Sequence, residues 1–306
     1  MSLISPVVLA SLASLVLLVA GCAAPPDVAG ADASTGTAAS PGPLLGLPTG
    51  SPTAAPPPRS STPPVPPPTQ QATQAAAWVV GARPLPLRPD GYGEVLPTPP
   101  VLADRRLATA DLLPAPPTAE FTATVSAVPG AVLARSTWHP GCPVRADELR
   151  YLTVSFWGFD GRHHTGELLA NVAAAGRLVE AFRALHAARF PIEEMRVTTA
   201  AELTAAPTGD GNNTQAFVCR PVNGRPEWSA HARGLALDLN PFCNPYRRND
   251  LVLPELASAY VDRTWLRPGM VLAGDVAVRA FARIGWSWGG AWIGARDPMH
   301  FAAVTG

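Results

Sequence analysis

The stretch that decides the fold is Ser229-Ala230-His231-Ala232-Arg233-Gly234-Leu235-Ala236-Leu237-Asp238, and it is complemented near the C-terminus by Asp297-Pro298-Met299-His300. Two histidines and a carboxylate are good zinc ligands, and a catalytic zinc keeps three protein ligands and one open position. The second carboxylate, Asp297, is placed to handle a proton. If the two stretches meet in space, His231, Asp238 and His300 would form a metal centre.

Residues 235–240 have the alternation of a β-strand, with leucines at every second position. In such a strand the leucines point into the core, and Asp238 and Asn240 point to the opposite face. If that face is buried, Asp238 needs a compensating cation, which zinc would supply. The Asp297–His300 stretch alone would fit a helix N-cap followed by proline equally well. The metal prediction therefore depends on both stretches.

The segment before these stretches has the pattern of a hairpin followed by a helix. Residues 149–159 are rich in β-branched and aromatic residues, and Asp160-Gly161 is a strong turn signal. We expect His163 and His164, beside this turn, to be solvated. The remaining predicted elements are a return strand from Gly166, a helix over 171–189 that Pro191 stops, a strand over 195–199, and a functional loop over 208–214.

Composition and charge exclude one broad class of function. The chain has 306 residues, with 23 basic and 23 acidic side chains and a formal net charge of zero. This balance gives no electrostatic reason to bind nucleic acid. We expect a monomer with a core of ordinary size.

The N-terminal third predicts export. Residues 1–21 form an uncharged apolar segment that ends in small residues, which indicates a signal peptide. Cys22 directly follows Ala-Gly and resembles the lipidated cysteine of bacterial lipoproteins, although an ordinary signal peptide with an incidental cysteine is the alternative. The only contact with a membrane would be this lipid anchor, and the body would lie outside the cytoplasm, anchored to the outer face of the membrane or secreted into the wall.

Proline content then divides the rest of the chain. Residues 22–77 consist mainly of Ala, Pro, Ser, Thr and Gly, which cannot bury enough apolar surface to fold, so we predict a disordered linker. We interpret 78–117 as a partly ordered lead-in and 118–306 as the functional domain. Outside the cytoplasm a disulfide is permitted. Of the three later cysteines one must stay unpaired, and we favour a bridge between Cys142 and Cys219 with Cys243 free.

The motifs together resemble the zinc D-alanyl-D-alanine carboxypeptidase family, which includes vancomycin-resistance D,D-carboxypeptidases and the L-alanyl-D-glutamate peptidases of phage endolysins. The pattern S-x-H-x-x-G-x-A-x-D is matched from Ser229 to Asp238, and acid-x-x-H is matched by Asp297 and His300. Residues 213–220, Asn240-Pro241, 244–246 and 285–290 also resemble one subfamily. The resemblance covers roughly residues 120–303.

This resemblance implies an α+β fold of the Hedgehog/DD-peptidase type: a small, mainly antiparallel sheet with flanking helices and Zn²⁺ on the sheet face. It implies that His231, Asp238 and His300 bind the ion and that Asp297 is the catalytic acid and base. Arg220 would hold a substrate carboxylate or the developing oxyanion. The remaining implied roles are substrate binding by Trp288 and orientation of the ligands by Ser229 and Asp210.

The implied activity is hydrolysis of peptidoglycan stem peptides, with removal of the terminal D-alanine as the preferred reaction. An endopeptidase that cuts the L-Ala–D-Glu bond is an alternative within the same family. A zinc-containing module that binds the cell wall without hydrolysis is an alternative of another class. The sequence leaves the choice of bond open.

Overall fold

The computed structural model describes residues 78–222 and 225–304. The predicted signal peptide, Cys22 and the linker over 22–77 lie outside the described residues. Described residues all belong to one unit of the fold. Among the helices in these ranges, none combines the length and hydrophobicity that crossing a bilayer would require.

The predicted hairpin is present, and its first strand is the central strand of a three-stranded antiparallel sheet. Strand β2 (Leu149–Trp157) pairs with β3 (His163–Asn171) across the turn, and β1 (Ala123–Ala127) pairs with the other edge of β2. Gly161 has φ 73°, a left-handed conformation that glycine adopts without a steric penalty. The return strand begins at His163, three residues earlier than the sequence pattern indicates.

This earlier start corrects the expectation that His164 is solvated. Its side chain lies on the inward face of β3 and is only 1% exposed. The imidazole Nδ1 lies 2.7 Å from Asp111 Oδ1 and Nε2 lies 3.1 Å from Asp160 Oδ1. A buried histidine is stable here because both ring nitrogens have carboxylate partners.

The long helix packs on this sheet because its apolar residues recur on one face. It spans Val172–Ala187, and Asn171 caps its start by accepting a hydrogen bond from the Ala173 amide at 3.0 Å. Leu178, Phe182 and Leu185 are buried in the main core beneath the sheet.

A second three-stranded antiparallel sheet consists of β6 (Ala236–Asp238), β10 (His300–Ala303) and β9 (Trp286–Trp288), in that order, so its central strand is the last of the described strands. Phe301 of β10 stacks on Phe281 with ring centroids 4.1 Å apart, which anchors this sheet in the main core. The fold is therefore α+β, with small, mainly antiparallel sheets and few helices. The long helix is α3, and the other α-helices are α1 (Pro100–Ala103), α2 (Gly130–Arg135) and α4 (Val276–Arg283). The strands that follow β3 are β4 (Glu194–Met195), β5 (Asn213–Thr214), β6 (Ala236–Asp238), β7 (Tyr246–Arg248), β8 (Leu251–Leu253), β9 (Trp286–Trp288) and β10 (His300–Ala303).

The lead-in over 78–117 packs against the rest of the unit through a buried ion pair. Arg105 is 1% exposed, and its Nε and Nη2 each donate to Glu193 at 2.6 Å. Asn212 Nδ2 donates to the same carboxylate at 2.8 Å. Leu102 and Leu107 are buried nearby in a second apolar cluster with Phe242. This segment contributes core residues of its own.

Breaking this ion pair is expected to destabilise the protein strongly. Arg105→Met leaves the Glu193 carboxylate buried without its cation, which costs about 3–5 kcal/mol in comparable cases. Arg105→Met/Glu193→Gln removes the charge and keeps an acceptor for Asn212, so it should recover part of the loss. Denaturant unfolding of the three proteins measures this, and equal stabilities for the wild type and Arg105→Met would contradict it.

Candidate metal centre

His231 lies in a one-turn 3-10 helix, Ala230–Arg233. The residues at its two ends, Ser229 and Gly234, both belong to the first motif. The Ser229 side chain accepts a hydrogen bond from the His231 amide at 3.3 Å and caps the start of the turn. Gly234 ends the turn with φ 66°, and a Cβ there would lie 2.6 Å from the Asn171 amide nitrogen. A residue with a side chain would therefore have to displace the backbone of the long helix's N-cap.

Asp238 and His300 are brought together by strand pairing. They face each other in the register of β6 and β10, at the end of the second sheet. Asp238 also forms a backbone bridge with Gln215, with N–O distances of 2.8 and 3.1 Å. Two ligand positions 62 residues apart are thus held on neighbouring strands.

The three side chains converge on one point. The nitrogen–oxygen distances to Asp238 Oδ1 are 3.3 Å from His231 Nε2 and 3.1 Å from His300 Nδ1. The two ring nitrogens lie 3.1 Å apart. A tetrahedral ion with bonds of 2.0–2.2 Å separates its ligand atoms by about 3.3–3.6 Å, so small shifts would admit zinc. The donor set of two imidazoles and one carboxylate also fits zinc.

A backbone carbonyl fixes which nitrogen His231 offers to this point. Its Nδ1 lies 2.6 Å from the Ala216 oxygen, an acceptor, so Nδ1 carries the proton and donates. Nε2 is therefore the ring nitrogen that faces Asp238 and His300, and it is the one that would bind a metal ion. No sequence pattern indicates this role of Ala216, because a backbone contact does not depend on its side chain.

Asp238 is ionised in this arrangement. Burial alone would raise the pKa of its carboxyl, but the charges and hydrogen bonds of His231 and His300 hold the pKa far below its usual range. These contacts offset the cost of burying the carboxylate.

Asp297 is half-buried beside the triad formed by His231, Asp238 and His300. Its backbone amide donates to Gly289 O and its carbonyl accepts from the His300 amide, both at 3.1 Å. Within the described residues, its Oδ1 has no hydrogen-bond partner. Burial and, secondly, the charge of Asp238 raise the pKa of the Asp297 carboxyl to about 7, against the opposing charges of His300 and Arg220. A buried carboxyl with a spare oxygen and a pKa near neutrality can accept and return a proton.

This pKa predicts how the metal-free protein responds to pH. An unfolded aspartate titrates near 3.9, so a folded pKa of about 7 means that the stabilising contribution is complete below pH 4 and is lost as the pH rises through 7. Metal-free Asp297→Asn should therefore be more stable than the wild type at pH 8, by up to about 4 kcal/mol. The difference should shrink towards pH 4. Chelator-treated proteins unfolded in urea across this range provide the measurement, and a difference independent of pH would contradict it.

The other predicted site residues lie in different surroundings. The Arg220 Nη1 donates to Pro221 O at 3.1 Å, and its charge acts on the Asp297 carboxyl. The indole Nε1 of Trp288 donates to Pro298 O at 2.9 Å and so supports the loop between Asp297 and His300. Both residues therefore contact or influence the Asp297 loop.

Asp210 is placed elsewhere. Its buried carboxylate accepts hydrogen bonds from Trp78 Nε1, the Gly81 amide and Thr208 Oγ1 at 2.7–3.2 Å. These partners belong to the lead-in and its own loop rather than to the triad. Asp210 is therefore hydrogen-bonded to the lead-in, and its role as a ligand-orienting residue stays a prediction.

A disulfide joins Cys142 to Cys219, directly before Arg220. His139 completes a His/Cys/Cys group with these sulfurs, but the covalent S–S bond makes both sulfurs unavailable as thiolate ligands. Cys243 is free and buried, and burial raises the pKa of its thiol to about 12, so it stays protonated. Among the described residues, the triad is therefore the cluster suited to a metal ion.

One comparison with known proteins agrees with the motifs. A family model described as D-alanyl-D-alanine carboxypeptidase matches residues 223–303, which contain all three triad residues and Asp297. No curated protein and no solved structure matches the chain. In general terms, the family match supports a metallopeptidase that acts on peptidoglycan.

Proposed function

Since residues 223–303 carry the signature of the D-alanyl-D-alanine carboxypeptidase family, we propose that this protein is a zinc metallopeptidase that removes the terminal D-alanine from peptidoglycan stem peptides. The observation that carries the proposal is the convergence of His231 Nε2, His300 Nδ1 and Asp238 Oδ1 within 3.3 Å of one another. We also propose a fold of the Hedgehog/DD-peptidase type with zinc on the face of the β6-β10-β9 sheet.

His231, Asp238 and His300 hold the ion in this proposal. Zinc bound by three protein ligands polarises a carbonyl and lowers the pKa of a coordinated water to about 7. The Ala216 carbonyl keeps His231 in the tautomer that offers Nε2, and Asp238 contributes the negative charge. The Ser229 cap holds the turn that carries His231.

Asp297 moves the proton. Its carboxyl lies in the loop that ends at His300, and its pKa of about 7 leaves it partly ionised at neutral pH. The ionised form accepts a proton from the attacking water, and the protonated form then donates to the leaving amine. Among the described residues its Oδ1 has no hydrogen-bond partner, so the transfer would not require an existing hydrogen bond of this oxygen to break.

Arg220 binds the negative charge of the substrate. Its guanidinium lies close enough to act on the Asp297 carboxyl, so it can hold a terminal carboxylate near the reacting bond. The disulfide at Cys219 and the Val218 amide, which donates to His231 O at 3.2 Å, fix the segment that carries it. A terminal carboxylate is what distinguishes a carboxypeptidase substrate from an internal peptide bond.

We propose that the domain works outside the cytoplasm. The Cys142–Cys219 disulfide supports an oxidising compartment. Lipidation of Cys22 would anchor the domain to the membrane through its proline-rich linker, whereas cleavage after residue 21 without lipidation would secrete it into the wall. In both cases the domain would be a monomer. The linker would let the domain reach stem peptides away from the membrane.

Metal analysis combined with product analysis tests the proposal. The purified chain, loaded with zinc, is incubated with muropeptides, and the products are identified by mass spectrometry. We expect one zinc per chain and loss of a single alanine from pentapeptide stems. Release of a longer stem fragment would show cleavage at L-Ala–D-Glu. Stoichiometric zinc without any product would contradict the peptidase and favour a wall-binding module.

A further inference from the structure

The loop between β9 and β10 presents a large apolar surface beside the triad. Trp292 is 44% exposed, and its ring centroid lies 5.4 Å from that of His300. The next residue, Ile293, is fully exposed. Large apolar side chains in solvent commonly mark a binding surface when they lie together.

The position of Trp292 is fixed by the backbone of the loop. The Gly289 carbonyl accepts hydrogen bonds from both the Trp292 and Asp297 amides at 3.1 Å. A Cβ on Gly289 would lie 2.7 Å from the Asp297 carbonyl oxygen, so the loop passes close to its own return. Because these contacts involve the main chain, truncation of the Trp292 side chain leaves them in place.

Trp288 and Trp292 therefore differ in what they can do. The Trp288 indole N–H is used by Pro298 O, and its ring packs on the main core. The ring of Trp292 contacts a triad residue and remains open to solvent. Its apolar face is available to a substrate that reaches the triad.

We propose that Trp292 is a specificity-determining residue that packs against the methyl group of the alanyl residue supplying the scissile carbonyl. This inference rests on the proposed function, but not on which bond is cut. Both candidate bonds, D-Ala–D-Ala and L-Ala–D-Glu, have an alanine on the N-terminal side of the cut. A carbonyl that reacts at the triad lies against the triad side chains, so its neighbouring methyl falls within reach of an indole that contacts His300.

A coupling experiment between enzyme and substrate tests this contact. The zinc-loaded chain and its Trp292→Ala variant are each assayed on acyl-D-Ala-D-Ala and acyl-Gly-D-Ala. One methyl group in an apolar contact changes kcat/KM by about 10-fold or more, so the wild type should prefer alanine by at least that factor. In Trp292→Ala the preference should fall to about 3-fold or less, because the methyl has lost its partner.

Two further variants separate a specific contact from a general loss of structure. Trp292→Phe keeps an aromatic face and should retain most of the preference for alanine. Trp265 is 50% exposed and stacks on Arg267 instead, so Trp265→Ala should leave the preference unchanged. A preference that stays the same in Trp292→Ala would overturn the inference, even if the overall rate falls.

A binding measurement keeps the inference separate from the activity. Calorimetric titration of the same peptides into zinc-loaded Asp297→Asn, with and without Trp292→Ala, gives Kd values without turnover. The alanine-over-glycine preference should again depend on Trp292. If the wild type cuts only the L-Ala–D-Glu bond, acyl-L-Ala-D-Glu and acyl-Gly-D-Glu replace acyl-D-Ala-D-Ala and acyl-Gly-D-Ala as the test peptides. Failure to cleave either type would refute the proposed function alone, and failure to bind either would overturn both.

Discussion

Replacement of Asp297 by asparagine is expected to lower kcat by about 10²- to 10⁴-fold while zinc remains bound. Asparagine keeps the shape of the side chain, and the backbone bonds to Gly289 and His300 do not depend on its carboxyl. Only the proton transfer is lost, because an amide does not titrate near neutral pH. Metal analysis and steady-state kinetics on the same preparation measure both parts of this expectation.

The matched control is Asp147→Asn, which removes an exposed carboxylate that pairs with Arg145 on the surface. This variant should keep the kcat of the wild type. If Asp297→Asn also kept it, Asp297 would be a structural residue of the loop and another group would have to move the proton. Loss of zinc together with activity would likewise show that the carboxyl supports the ligands rather than the reaction.

Replacement of His300 by alanine is expected to weaken zinc binding by more than two orders of magnitude and to abolish turnover. Removal of an outer partner of a ligand already costs about 10- to 100-fold in affinity, and His300 offers a ligand atom itself. Its Nδ1 lies 3.1 Å from both Asp238 Oδ1 and His231 Nε2, so alanine leaves one corner of the triad empty. Competition with a chromogenic chelator measures the affinity.

His186→Gln provides the control for a general effect of histidine replacement. The His186 ring faces His163 and Phe121 near the end of the long helix, and no triad residue is among these contacts. We expect zinc affinity close to that of the wild type. An unchanged affinity in His300→Ala would mean that the ion binds elsewhere in the chain.

The local structure around the first motif could be predicted because each of its residues has its own role in the backbone conformation. Ser229 caps a turn, Gly234 permits a left-handed end against the Asn171 backbone, and the alternation after it forms a strand. The hairpin was predictable for the same reason, since Asp160-Gly161 is a local turn signal. Its return strand was predicted too short because the polar pair His163-His164 conceals the alternation.

The long-range arrangement could not be predicted from the sequence in this way. The register that places His300 opposite Asp238 depends on pairing between strands 62 residues apart, and only the family resemblance indicated that the two motifs meet. The partner of Arg105 is Glu193, 88 residues later, and no local pattern connects them. The family resemblance implied that Asp210 orients the ligands, whereas its hydrogen-bond partners lie in the lead-in and at Thr208.

Zinc-edge anomalous diffraction from crystals of the zinc-loaded chain locates the ion itself. We expect one zinc ion bonded by His231 Nε2, Asp238 and His300 Nδ1 at about 2.0–2.2 Å, with a further position open to solvent. Zinc bound at other residues, or a triad without an ion in excess zinc, would contradict it.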